Sequence, residues 1–171
     1  QVAGDIRLSA SRDLNARAAT VTSSDGAVAA VAGRDVNLTA GSARNFVDEA
    51  HRHTGSNGML SKKTITTRDS VDETVALGTT FSGKTTQVQA GRDLLVDGSN
   101  VVSDKGTALV AGRDVRLQSA TDTTIESHLR DEKKSGLFSS GGIGFTIGTQ
   151  QQTAARRATS TRAAASTVGA T

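Results

Sequence analysis

Ala111-Gly112-Arg113-Asp114-Val115-Arg116-Leu117 decides the fold, because the same word returns along the chain. Ala32-Gly33-Arg34-Asp35-Val36-Asn37-Leu38 and Ala90-Gly91-Arg92-Asp93-Leu94-Leu95-Val96 repeat it almost letter for letter, and Ala10-Ser11-Arg12-Asp13-Leu14 is a worn copy. The Asp residues are separated by 22 (Asp13 to Asp35), 58 (Asp35 to Asp93) and 21 (Asp93 to Asp114), so two closely spaced pairs flank one long interruption. A period of about twenty residues is that of a stacked solenoid, in which no unit buries a core alone and each covers its neighbour.

The chemistry of the word places it at a corner. Gly takes positive φ at little steric cost, and Asp accepts hydrogen bonds from nearby backbone N–H groups. Gly33-Arg34-Asp35, Gly91-Arg92-Asp93 and Gly112-Arg113-Asp114 are therefore read as structural corners, with matching backbone conformations expected at the three glycines. After each corner the sequence alternates: Val36, Leu38 and Ala40 with Asn37 and Thr39, and Val115 and Leu117 with Arg116 and Gln118. This is the period of a strand with one face in a core. Stacked rungs then put Val36, Leu94 and Val115 in one inward column and Leu38, Val96 and Leu117 in the next, with Leu117 expected to be buried. Three short strands per turn, stacking at about 4.8 Å, is the implied geometry.

Composition agrees. The 171 residues include four Phe, no Trp, no Tyr, no Pro and no Cys, so the core has to be aliphatic. Thin stacked rungs suit such a core. The net charge of +3 arises from interspersed charges of both signs and does not form the basic, aromatic-studded stripe of a nucleic-acid binder, so no nucleic-acid partner is expected. The absence of Cys excludes a disulfide framework and cysteine-zinc sites. No apolar run is long enough for a membrane-spanning helix. The start at Gln1, with no signal-like segment, is read as that of a fragment of a longer protein.

Taken in order, the rungs are read as Gly4 to Ser24, Gly26 to Ala40, Gly83 to Ser103 and Gly106 to Glu126. Together they make an all-β fragment over 1–152, with one excursion at about 41–82 and another from about 129. Both excursions are read as extended β ribbons, Ser61 to Phe81 and Gly136 to Gln152 among them. Ile143, Phe145 and Ile147 alternate with Gly and Thr, and with Gly136, Leu137 and Phe138 they form a candidate interaction ribbon. The Ala/Thr/Arg-rich stretch 153–171 reads as a frayed tail or a poorly packed helix.

These rungs, combined with Lys134-Ser135-Gly136-Leu137-Phe138-Ser139-Ser140-Gly141-Gly142-Ile143-Gly144-Phe145-Thr146-Ile147-Gly148, resemble the haemagglutinin repeats of filamentous-haemagglutinin-like exoproteins. The likeness is closest to the second repeat region of the contact-dependent inhibition proteins and covers roughly Gly4 to Gln152. The resemblance implies a right-handed parallel β-helix with β-ribbon excursions, within a two-partner-secretion protein of a Gram-negative bacterium. Such a protein is secreted to the bacterial cell surface through an outer-membrane transporter. Its stalk meets a receptor or the outer membrane of a neighbouring cell, in adhesion or toxin delivery, with membrane contact through the excursion strands as one route. Neither a secretion domain nor a toxin domain lies in this stretch.

Catalytic chemistry is sparse. Glu49, His51 and His53 alternate and would share one side of a strand, as a zinc or nickel site requires, but a solvated polar strand is the plainer reading. Asp69, Asp72 and Glu73 are acidic neighbours of the kind used by sugar-cleaving β-helices, and surface solvation explains them more simply. His128 stands alone, and Asn37-Leu38-Thr39 puts Asn37 on an outward face. No catalytic residue, metal or cofactor is expected. A polysaccharide-binding or polysaccharide-degrading β-helix is the alternative to a stalk, and it would call for aromatic platforms that four Phe do not supply.

Overall fold

The computed structural model describes residues 2–56, 61–139 and 145–170, and of Phe138, Ser139 and Phe145 only the backbone. Its regular structure is all β. The strands are β1 (Ile6–Ala10), β2 (Leu14–Arg17), β3 (Thr20–Thr22), β4 (Val28–Ala32), β5 (Val36–Thr39), β6 (Gly41–Ser56) and β7 (Ser61–Leu77). They continue with β8 (Thr80–Ala90), β9 (Asp93–Asp97), β10 (Asn100–Ala111), β11 (Asp114–Gln118), β12 (Ala120–Ser139), β13 (Phe145–Ala164) and β14 (Thr167–Ala170). The chain forms two compact units, one of Gln1–Ala43, Thr74–Asp122 and Thr161–Thr171, the other of Arg44–Glu73 and Thr123–Ser160.

In the first unit, rungs stack on three faces with parallel pairing throughout. On the first face Leu8 pairs with Ala30, Ala30 with Val88, and Val88 with Leu109. The second face runs Leu14, Val36, Leu94, Val115 and, two residues on, Ala16, Leu38, Val96, Leu117. A third face runs Val21, Phe81, Val101, Val168. Alternation along each strand then sends every second side chain inward, and the two middle rungs form a closed apolar core: Val28, Ala30, Val36, Leu38, Phe81, Val88, Val96 and Val101 are all fully buried.

Three expectations are corrected here. The columns have the expected register, but Leu117 is 56 % exposed, because β11 is the edge strand of its sheet and nothing stacks on its far side. Phe81 belongs to no ribbon, since β8 carries it into the core beside Val21 and Val101. The stretch 153–170 is neither helix nor frayed tail. It completes β13 and supplies β14, which pairs residue by residue with Asn100–Ser103. Its Thr, Val and Ala suit a strand next to an existing edge, a benefit that composition alone does not reveal.

The fourth rung's third face is accordingly β14 and not Thr123 to Glu126. The second rung is built the same way: β5 hands the chain to an excursion, and the third face resumes only on its return, where Thr80 pairs with Thr20 and Thr80 N–H donates to the Ala19 carbonyl at 2.7 Å. Both long insertions thus open at the corner after the second face and close at the start of the third.

The second unit is a four-stranded sheet in the order β13-β12-β7-β6. Arg44 pairs with Asp72, Asp48 with Arg68 and Thr54 with Thr64, so β6 and β7 run antiparallel. Lys63 with Glu132 and Asp69 with His128 give the same sense for β7 and β12. Among the described residues every buried one lies in the first unit, and β6 is exposed along nearly its whole length.

Burial ranks two leucines of one column. Leu38→Ala, in a fully buried site, is expected to cost about 2–5 kcal/mol. Leu117→Ala, at the exposed edge, is expected to cost about 1 kcal/mol or less by the area it withdraws from water. Chemical denaturation of the two variants checks the order, and equal losses would contradict it.

Candidate functional site

The repeated word builds the first candidate feature. Gly33, Gly91 and Gly112 sit at equivalent bends, and each N–H donates to the alanine carbonyl of the rung before: Gly33 to Ala10 and Gly91 to Ala32 at 2.9 Å, Gly112 to Ala90 at 3.1 Å. Positive φ is not the reason for glycine, since among the described residues only Ala18, Gly98 and Gly136 have it. Clearance is the reason. A Cβ on Gly33 would stand 2.2 Å from the Ser11 carbonyl oxygen, one on Gly91 2.1 Å from that of Gly33, and one on Gly112 2.2 Å from that of Gly91. The three corners share these bonds and clearances, and close approach, not positive φ, is what requires glycine there.

Arg and Asp of the word join successive rungs. Arg34 makes a two-pronged contact with Asp13 through Nε and Nη2, Arg92 grips Asp35 at 2.9 and 2.5 Å, and Arg113 grips Asp93 in the same way. Each guanidinium thus reaches back one rung, a geometry that matches the carboxylate fork. The carboxylates also accept from the next rung's backbone: Asp35 N–H donates to Asp13 and Asp93 N–H to Asp35, both at 3.3 Å. The bond from Arg34 holds Asp13 below the usual carboxylate range, and that from Arg113 does so for Asp93. Outside the ladder, Asn37 donates to Asn15 at 2.8 Å along the same face.

Sequence reading missed a second ladder, at the corner where the excursions leave and return. Thr79 and Ser99 are fully buried there. Thr79 Oγ1 donates to the Thr39 carbonyl (2.9 Å) and accepts from Ala19 N–H (3.2 Å), and Ser99 Oγ accepts from Thr79 N–H (3.2 Å). Ser166 Oγ accepts from Ser99 N–H at 3.1 Å and donates to the Gln118 carbonyl at 2.5 Å. These hydroxyls satisfy backbone groups that the turn would leave unpaired inside the stack. The sequence signal was a Thr or Ser, at 79, 99 and 166, followed by the first residue of a strand at a spacing that only the excursion lengths could align.

The second unit carries the remaining candidates. Gly136 and Leu137 lie in β12, Phe138 and Phe145 are described only as backbone in β12 and β13, Ile147 is 81 % exposed, and Ile143 lies outside the described residues. Glu49 and His51 are exposed on β6, 3.8 Å apart, and among the described residues no group of three potential ligands is placed to hold a metal. The acidic trio separates into different pairs: Asp72 accepts two bonds of 2.6 Å from Arg44, and Asp69 meets His128 Nδ1 at 2.9 Å. Asp48 takes Arg68, and Glu132 binds Lys63 at 2.9 Å, Lys134 at 3.2 Å and Arg130 at 3.3 Å. Lys63 first, then Lys134, draws Glu132 down to about 2. Cross-strand pairs of opposite charge are what specifies register in a sheet without a core.

Comparison with known proteins agrees with this geometry. The family model of the hemagglutinin repeat matches residues 1–136 and again 60–171, and the chain belongs to that family. A "tRNA nuclease CdiA" of Escherichia coli (strain STEC_O31) is 40 % identical over 157 residues, which are 90 % of this chain and 5 % of that protein. A "16S rRNA endonuclease CdiA" of Enterobacter cloacae is 41 % identical over 126 residues, 74 % of this chain and 4 % of the relative. A "tRNA nuclease CdiA-2" of Burkholderia pseudomallei is 32 % identical over 158 residues, 92 % and 5 % of the two chains. The chain therefore spans about one twentieth of the length of these relatives. No solved structure matches it.

Two outcomes follow from the corners and the pairs. Gly91→Ala is expected to destabilise by about 1–3 kcal/mol, the range for overpacking, because the Cβ meets backbone that is itself held in the stack. Gly106→Ala, where a Cβ would have open space, is expected to be tolerated, and equal Tm losses for the two would contradict the clearance argument. For pH, the carboxylates Asp13, Asp93, Asp48, Asp72 and Glu132 all lie lower in the folded chain than unfolded. Their contribution is complete above the ordinary carboxylate range and is lost as pH falls through the depressed values. Thermal unfolding is expected to hold steady down to about pH 5 and to weaken below about pH 4; a Tm unchanged between pH 5 and pH 2 would contradict it.

Proposed function

We propose that the chain is a stretch of right-handed parallel β-helix serving as a non-catalytic stalk and interaction segment of a large secreted exoprotein on a Gram-negative cell surface. The observation that carries this reading is the in-register stacking of the Gly-Arg-Asp word across successive rungs, with Arg34, Arg92 and Arg113 each reaching the Asp of the rung before. A stack of this kind extends along one axis by repetition and spends its charged residues on holding rungs together. Asp13, Asp35 and Asp93 each face a guanidinium of the next rung, and in the second unit Asp48 and Asp72 face Arg68 and Arg44, so these carboxylates are engaged in separate pairs.

The second unit supplies the interaction surface in this reading. A coreless sheet with long solvated edges offers rows of backbone donors and acceptors to an added strand. Of the candidate ribbon, Gly136, Leu137, Phe138, Phe145 and Ile147 lie on strands of this sheet, with Ile147 standing in water, and Ile143 falls outside the described residues. The partners are the outer-membrane transporter that exports the parent chain, and a receptor or the outer membrane of a neighbouring cell. Similarity to CdiA proteins supports toxin delivery as the larger task, and the nuclease activities in their names stay with those proteins.

A chimera tests this. The matching segment of the Escherichia coli relative is replaced by this chain, and surface export and growth inhibition of target cells are measured in co-culture. Export and inhibition are both expected to persist. Replacing Arg44–Glu73 and Thr123–Ser160 by short Gly-Ser connections is expected to leave export intact and to reduce inhibition. Failure of the intact chimera to reach the surface, or full inhibition by the trimmed one, would overturn the proposal.

A further inference from the structure

Three corners of the stack close with the same bond. Where the second face turns into the third, the hydroxyl of the residue just before the third-face strand donates to the carbonyl of the last residue of the second-face strand. Ser99 bonds Asp97 in this way at 2.8 Å, Thr79 bonds Thr39 at 2.9 Å and Ser166 bonds Gln118 at 2.5 Å. What lies between acceptor and donor differs greatly. It is Gly98 alone in the third rung, residues 40–78 in the second and residues 119–165 in the fourth.

Neither side of the corner shows the difference. Ala40, which opens an excursion, and Gly98, which opens none, each donate N–H to a second-face carbonyl of the following rung at 3.0 Å, Ala40 to Asp97 and Gly98 to Gln118. On the far side Thr80 N–H reaches the Ala19 carbonyl after an excursion, and Asn100 N–H reaches the Thr79 carbonyl after a direct turn, both at 2.7 Å. Each clasping oxygen also accepts an N–H of the rung before: Thr79 from Ala19, Ser99 from Thr79 and Ser166 from Ser99. Gly98 turns the chain in one step with a φ of 53°, and an excursion takes the place of that one step.

The corner is thus complete without its excursion. Closing a loop costs an entropy that rises only with the logarithm of its length, so a clasp that holds one residue also holds a long segment. The two sides of the clasp are unequal in strength. Thr79 and Ser99 are fully buried, whereas among the described residues none of the second unit is buried. Its pairs, Arg44 with Asp72, Arg68 with Asp48 and His128 with Asp69, are exposed, where such pairs are weak.

We propose that the hydroxyl clasp uncouples the second unit from the stack, so that the strands of that unit open and re-pair together while the rungs stay closed. An opened strand offers both of its edges to another chain, and the clasp confines the opening to the second unit. The inference rests on the bonds of the corner and holds or fails independently of the stalk reading.

Native-state amide exchange of the chain in increasing urea tests the clasp. The second-unit amides of β7 and β12 are expected to exchange together through an opening with a shallow urea dependence, while those of Leu94 and Val96 exchange only in the steep, global unfolding. A chain in which one glycine replaces residues 40–78 is expected to keep the Leu94 and Val96 amides protected to within about threefold of the native chain. Thr79→Val preserves the shape of the side chain and removes both of its bonds. It is expected to lower protection of the Ala19 and Thr80 amides at least about tenfold, the weight of one lost hydrogen bond. One opening common to both units, a glycine-linked chain whose rungs lose protection, or a Thr79→Val chain with unchanged exchange at Ala19 and Thr80 would overturn the proposal.

Discussion

Each rung of the first unit after the first is seated by one contact of zero clearance, the Cα of Gly33, Gly91 or Gly112 over the carbonyl oxygen of the preceding rung. Any Cβ there would stand 2.1–2.2 Å from oxygen, so the backbones approach as closely as hydrogen-bonded strands do and the ladder passes round the corner unbroken. Adjacent to it the Arg of each rung forks onto the Asp of the last. The glycine sets the spacing and the ion pair sets the register, because a slip of one residue would separate every guanidinium from its carboxylate and turn each apolar column outward. The columns of Ala, Val and Leu then need only to be the right width.

The energetic weight of the chain is unevenly divided. Desolvation of aliphatic side chains stabilises the middle rungs, where Val28, Leu38, Phe81 and Val96 are sealed from both sides. The second unit has no such reserve. Its strands are held by backbone pairing and by exposed ion pairs, which are individually weak and screened by salt. The buried hydroxyls of Thr79 and Ser99, with Ser166, secure the place where the excursions rejoin the stack.

The repeat was legible because its constraints are local and chemical. Gly, Arg and Asp recur at fixed offsets, and the apolar alternation after them follows from the strand pleat, so the columns Val36-Leu94-Val115 and Leu38-Val96-Leu117 could be written from the letters alone. What the letters hid depends on position in the whole. Leu117 holds the same place in the repeated word as Leu38, yet it is exposed because β11 is the edge strand of its sheet. Thr167–Ala170 looked like a tail because its partner, Asn100–Ser103, is separated from it by an entire excursion. Glycine's role was misjudged because close approach and positive φ select the same residue, and only the distance to the next rung tells them apart. Of the candidate site, the corner triads were legible, whereas the pairing of Asp72 with Arg44 and of Asp69 with His128 required the antiparallel register of their strands.

The central claim is that backbone hydrogen bonding continues from rung to rung through the glycine corners. Amide hydrogen exchange resolved by residue measures it directly. The account predicts that the N–H groups of Gly91, Arg92 and Arg113, bonded to Ala32, Arg34 and Arg92, exchange nearly as slowly as the strand amides of Leu94 and Val96, and far more slowly than those of β6. Corner amides that exchange at the rate of β6, while the strand amides stay protected, would show separate sheets joined by loose turns and would contradict it.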